Sequence, residues 1–270
     1  MPIHVDRRDD HITVITIDRP ESRNSLDLHH FHDLAVAWRE FRDDTDQWVA
    51  ILTGVEGNFC SGADLKLFIP QITEFQKAIQ AGDVSEFEGV ELRDSTDAVL
   101  KTLKIYKPII AAIDGPCVAG GMEMLGGVDI RIATPEATFG VMEPKRGLFA
   151  GGGTPTRLPR QIPFPHAMEF LLTAEAFPAQ AAMEMGLLNR IVARKSLMDE
   201  ALGFAHRITA NAPRAVQATK EAVLRALAAG SMKEGYQIEN ELSGVVFQTD
   251  DAKEGPRAFA EKRAPRWTGR

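Results

Sequence analysis

Apolar positions along the chain follow two rhythms that alternate. "HITVITI" (11–17) is rich in β-branched residues and predicts a strand, stopped by "DRPESRNS" (18–25). From Asp27 the apolar residues Leu28, Phe31, Leu34, Ala35, Trp38 and Phe41 recur at helical spacing. "WVAILTG" (48–54) predicts a short buried strand, followed by the glycine-bearing loop "GVEGNFCSGA" (54–63). Residues 68–92 show no decided period, and "GDVSEFEGVE" (82–91) has the composition of a loop or lid. A helix is predicted next, to about Lys104. Pro108 then opens the strand "PIIAAID" (108–114), before a glycine turn, a short helix from about Gly121 and the strand "DIRIAT" (129–134).

"ATFGVMEPKRGLFAGGGTPTRLP" (137–159) breaks both rhythms with glycine and proline. Beyond Pro165 helices are predicted over 165–174, 178–186, 196–210, 212–229 and about 233–247, with "NAP" and "AAGS" at boundaries. The expected architecture is an α/β body over residues 1–195 followed by a helical region over 196–270.

Charge and cysteine content narrow the function. The 31 basic and 38 acidic residues give a net charge of −7, so nucleic acid is not the expected partner. No apolar run approaches a membrane span. The first twenty residues lack a charged-then-apolar leader. Two cysteines, Cys60 and Cys117, cannot build a disulfide framework and suit a reducing compartment. A cytoplasmic protein is expected.

Most chemical motifs are missing, among them GxGxxG, the P-loop, H-E-x-x-H and C-x-x-C. His29 and His32 lie one helical turn apart, half of a metal site without an evident third ligand, and no metal is expected. Cys60 and Ser61 sit in a glycine loop, but no nearby His or Asp argues for a triad. More informative are three glycine-rich segments, each behind a predicted strand: "NFCSGADLK" (58–66), "GPCVAGGMEM" (115–124) and "ATFGVMEPKRGLFAGGG" (137–153). Two such turns facing each other can form an oxyanion hole from backbone alone. Glu123 stands in otherwise apolar, glycine-rich sequence, where an unpaired carboxylate is costly. Glu143, within the third segment and behind its strand-like part, can be catalytic or can pair with Lys145 or Arg146 at the surface. "AEKRAPR" (260–266) reads as a solvated tail or a basic patch for phosphates.

At these residues the sequence resembles the crotonase superfamily, the enoyl-CoA hydratases and isomerases. The resemblance runs through "IDRPESRNSLD", "NFCSGADLK", "KPIIAAIDGPCVAGGMEM", "DIRIATPEATFGVMEP", "AMEMGLLNRIV" and "DAKEGPRAFAEKRAPRW". It implies a spiral of ββα turns with a helical C-terminal region that builds a homotrimer or a hexamer made of two trimers. It implies an acyl-CoA substrate, with coenzyme A as part of that substrate and no separate cofactor. By position, the amides of Ala63 and Gly120 match the pair that holds the thioester oxygen. Ser22, Arg23, Asp64, Leu65 and Lys66 match the CoA side, and Phe259 and Lys262 match positions that reach a neighbouring subunit's CoA. Glu123 and Glu143 match both carboxylates of the hydratases, which favours water addition to 2-enoyl-CoA giving 3-hydroxyacyl-CoA. A Δ3-Δ2 isomerase, or another lyase or hydrolase with one Glu, is the alternative. A non-catalytic CoA-thioester-binding scaffold is the alternative from another class.

Overall fold

A parallel strand covered on both faces needs apolar side chains at successive positions, and this requirement organises the molecule. The computed structural model describes residues 3–82, 86–87 and 89–270. Its first half runs β1 (Ile3–Arg7), β2 (Ile12–Ile17), α1 (Leu28–Asp43), β3 (Val49–Gly54), α2 (Phe68–Gln80), β4 (Glu86–Phe87), β5 (Val90–Glu91), α3 (Asp94–Ala98), β6 (Ile109–Ile113), β7 (Pro116–Val118) and α4 (Gly120–Leu125). The second runs β8 (Ile130–Ala133), β9 (Thr138–Gly140), α5 (Thr154–Arg157), α6 (Phe164–Thr173), β10 (Phe177–Pro178), α7 (Ala179–Glu184), β11 (Arg190–Ile191), α8 (Leu197–Thr209), α9 (Pro213–Ala226), α10 (Met232–Val246) and α11 (Asp250–Ala260).

The larger sheet has the order β1-β2-β3-β6-β8-β11, antiparallel only between β1 and β2. Ala50 and Leu52 of β3, with Ala111 and Ile113 of β6, pack on the face that also receives Trp38 and Phe41 of α1. Val49, Ile51, Ile110 and Ala112 point to the opposite face, onto Leu197, Ala201 and Ala205 of α8. Both faces are therefore dry, as the continuous apolar runs require.

After each inner strand the chain turns a corner into a shorter second layer. There β7 pairs with β9 and β9 with β10, while isolated bridges join Leu26 to Ala63 and Cys60 to Cys117. Strand, short segment and helix thus recur from β2, β3, β6 and β8, which is the expected spiral of ββα turns. Asn24 holds the first corner. Fully buried at positive φ, it accepts the Arg19 N–H and donates to the carbonyls of Val55 and Asn58. Asn24→Ala leaves the part-buried Arg19 N–H and Asn58 carbonyl without these partners, while the Val55 carbonyl keeps the Asn58 N–H, at a cost of about 2–3 kcal/mol. Urea unfolding measures this, and a change under about 0.5 kcal/mol would contradict it.

Several expectations change. The helix predicted up to Lys104 stops at Ala98, because the chain turns at Leu100 with φ of 57°. The undecided segment 68–92 contains α2 and the β4–β5 hairpin; of the suspected lid, Asp83, Val84, Ser85 and Glu88 lie outside the described residues. The tail begins with a further helix, α11, where Asp251 accepts from the amides of Thr268 and Gly269 and Glu254 pairs with Arg263. Among the described residues, no helix is long and apolar enough to cross a membrane.

Candidate active site

Two corners of the spiral meet at residues 62–63 and 119–120. Leu26 N–H donates to the Gly62 carbonyl and Asp64 N–H to the Leu26 carbonyl, so this parallel bridge passes over the Ala63 amide. Gly120 opens α4, and the first amides of a helix have no partner within it. Ala119, at φ 50° and ψ −117°, holds a conformation uncommon outside glycine and directs the chain into that helix. A Cβ at Gly62 would sit 3.2 Å from the Gly120 nitrogen, and one at Gly120 would sit 3.7 Å from the Ala63 nitrogen. The two amides are neighbours, and among the described residues neither donates to another protein group.

Both open on a cleft of about 600 Å³. Its apolar wall includes Phe31, Phe68, Ile69, Ile72, Val99 and Met142, and both Glu123 and Glu143 line it. Glu123 comes from α4, one turn beyond Gly120, and Glu143 begins a 3-10 turn behind β9. The Gly152 N–H donates to the Glu123 carboxylate, and a side chain at 152 would intrude on that carboxylate. Burial, and then the nearby Glu143, push the Glu123 carboxyl up to about 7. The Gly152 amide and the cations Arg157 and Lys101 oppose that rise. Burial also raises Glu143, whose Oε2 is buried without a hydrogen-bond partner among the described residues. Two carboxyls that resist ionisation in one cleft can hold a single proton between them near neutral pH.

The surface-pair reading of Glu143 is overturned. Lys145 and Arg146 are exposed, and the Arg146 guanidinium donates only to the Lys145 carbonyl among the described residues. The nucleophile readings also fall. Burial pushes the Cys60 thiol up to about 12, and Ser61 donates to the Ser22 carbonyl. His32 has an acidic partner, Asp94, but Arg39 occupies the same carboxylate, making an ion-pair network. Among the described residues, no group of three His, Cys, Asp or Glu is placed to hold a metal.

The remaining predicted residues divide. Leu65 lines the cleft; Asp64 pairs with Arg19 at 3.1 Å and caps the Lys66 amide. Arg23 and Lys66 are exposed beside them, and the Ser22 carbonyl is used by Ser61. Phe259, 86% exposed on α11, and Lys262 do not line this cleft. Sequence reasoning missed Gly152, Lys101 and Arg157. Only the glycine run 151–153 hinted at them, since backbone that tightly placed needs small residues.

Comparison with known proteins agrees in extent as well as in kind. Residues 7–270 match the enoyl-CoA hydratase/isomerase family. The enoyl-CoA hydratase EchA19 of Mycobacterium tuberculosis is 40% identical over 267 residues, covering 98% of this chain and 96% of that protein. The (E)-benzylidenesuccinyl-CoA hydratase of Thauera aromatica is 40% identical over 260 residues, with 96% of each chain covered. A crystal structure of an enoyl-CoA hydratase from Mycobacterium tuberculosis superposes with a TM-score of 0.84 at 39% identity, over 100% of this chain and 99% of the other. The Bacillus anthracis enoyl-CoA hydratase gives 0.87 at 32% identity, with 100% of both chains covered. With the spiral fold and this span of similarity, the chain belongs to the enoyl-CoA hydratase/isomerase family, within the crotonase superfamily.

Proposed function

We propose that the protein is an enoyl-CoA hydratase that adds water reversibly across the double bond of a 2-enoyl-CoA. The observation that carries this reading is the pair of half-buried carboxyls, Glu123 and Glu143, in the same cleft as two amides that donate to no other group among the described residues. As the water oxygen bonds to Cβ, the double-bond electrons move toward the thioester and negative charge gathers on its oxygen. The amides of Ala63 and Gly120 are the donors for that oxygen. One such donor is typically worth about 2.7–4 kcal/mol of barrier. The ionised member of the pair takes a proton from water, and the protonated member gives one to Cα. Glu123 is assigned to the water and Glu143 to Cα by family position. The reaction needs no resident cofactor, because coenzyme A arrives with the substrate.

Arg23 and Lys66 supply exposed positive charge for the CoA phosphates, beside the Asp64–Arg19 pair. Val223 and Leu224 of α9, Leu227 just beyond it, and Met232 and Tyr236 of α10 are exposed, which supports assembly as a trimer or a pair of trimers. In that assembly Phe259 and Lys262 serve a neighbour's CoA. The buried free cysteines fit a cytoplasmic location.

The test is incubation of the pure protein with a panel of enoyl-CoAs and identification of products by mass. Gain of one water supports the reading; double-bond migration or free CoA overturns it. In the same assay kcat/KM against pH is expected to be bell-shaped. Because burial raises both carboxyls, the alkaline limb lies near or above 7, where the pair loses its one proton. A profile rising monotonically from pH 6 to 9 would exclude the one-proton pair.

A further inference from the structure

Arg157, at the end of α5, reaches four backbone carbonyls in three of the segments around this cleft. Its terminal nitrogens lie 2.9 Å from the Leu100 carbonyl, 3.1 Å from Val99, 2.9 Å from Glu123 and 2.8 Å from Gly152. Val99 lines the acyl cleft; the Glu123 carbonyl belongs to the helix that carries one acid; Gly152 belongs to the loop whose amide grips that acid's carboxylate. Lys101 ties the same two loops from outside, through the Gly151 carbonyl. Space for the guanidinium is provided by absent side chains. A Cβ at Gly126 would lie 2.6 Å from its Nε, and one at Gly153, where φ is +115°, would lie 2.8 Å from Nη2.

We propose that Arg157 is the positioning residue of this site, fixing the Glu123 carboxyl against the acyl cleft by binding the carbonyls of both flanking loops. The proposal rests on the hydratase reading. A planar guanidinium is the side chain suited to the task, since an ammonium on a longer stem cannot bridge acceptors in a fixed fork. Arg157 also acts on the charge of the pair. The groups facing Glu123 are Glu143 from the turn behind β9, Lys101 from the segment after α3, Arg157 from α5 and the Gly152 amide. Of these, Arg157 and Lys101 are the cations that favour the ionised form.

The experiment compares wild type with Arg157→Lys, Arg157→Gln and Gly126→Ala, in full-length protein whose folding is checked by thermal unfolding. The substrate is the enoyl-CoA that wild type turns over best. Arg157→Lys is expected to lose on the order of 10²-fold in kcat with KM changed less than about threefold, as for a misplaced catalytic group. Arg157→Gln is expected to lose as much and to move the alkaline limb of the pH profile upward, because a cation beside Glu123 is gone. Arg157→Lys keeps the charge and leaves the limb in place. Gly126 has φ of −60°, so Ala strains no backbone there, yet it displaces the guanidinium. Its kcat is therefore expected to fall with Arg157 still present, which supports the proposal even where the Arg157 variants do not fold. Wild-type kcat in Gly126→Ala, or in a folded Arg157→Lys, overturns the proposal alone. An unmoved limb in a folded Arg157→Gln overturns it too. A wild type that hydrates none of the substrates overturns the hydratase reading, and this proposal with it.

Discussion

Glu123→Gln is expected to lower hydration on the order of 10³-fold or more and, at pH 8, to unfold at a higher temperature than wild type. The loss follows from removing a proton acceptor that no neighbour replaces, since Glu143 is assigned to the other proton. The gain in stability follows from the same burial. In the unfolded chain this carboxyl titrates near 4.5, and in the folded protein near 7. The fold thus prefers the protonated form. Stability from this group is fully present below about 4.5 and is lost as pH rises through about 7. Gln does not ionise, and its Oε1 can still accept from the Gly152 amide. The difference at pH 8 amounts to about 3 kcal/mol at most, or several degrees in Tm. Calorimetry at pH 8 and near pH 4 measures both ends, and the advantage vanishes at the lower pH. A variant less stable than wild type at pH 8 would mean that the Glu123 carboxylate is well solvated or well paired in the fold, contrary to its place in the cleft. This is the usual relation between a working site and stability: the group held in an unfavourable environment is the one that reacts.

That environment was partly legible in the sequence. Four inner strands could be read, β3 and β6 from continuous apolar runs that cover both faces and β2 and β8 from their β-branched residues. The edge strand at Ile3–Arg7 escaped because only Ile3 of its residues is buried. Helix α11 was missed because Pro256 and a run of charges mask it, while its stability comes from tail amides bound to Asp251 and Glu254. At the site, an isolated Glu in glycine-rich apolar sequence announced itself, and the resemblance supplied Glu143. Arg157 left no such mark. Its partners are backbone carbonyls, which any residue can present, and two of them, in α4 and in the segment after α3, are 34 and 57 residues away in sequence. The distance between the two amides was likewise invisible, since it depends on corners from different turns of the spiral stacking on each other.

Gly62→Ala tests that stacking, with an expected loss in kcat on the order of 10²–10³-fold. Gly62 sits at φ +94°, and a Cβ there would lie 2.8 Å from the Ala119 Cβ. Alanine must therefore either leave this backbone conformation or push the 119–120 corner away, and both routes separate the amides of Ala63 and Gly120. Some stability is lost as well, on the order of 1–2 kcal/mol for the strained backbone. The two variants damage different parts of one reaction, and vibrational spectroscopy of a bound enoyl-CoA separates them. Glu123→Gln retains both amides, so the thioester carbonyl band of the bound ligand stays shifted to low frequency as in wild type. Gly62→Ala returns that band toward its position in water even where the ligand still binds. A band that stays fully shifted in Gly62→Ala would place the polarising donors elsewhere in the cleft. A band already lost in Glu123→Gln would mean that the carboxyl, rather than the backbone, polarises the carbonyl.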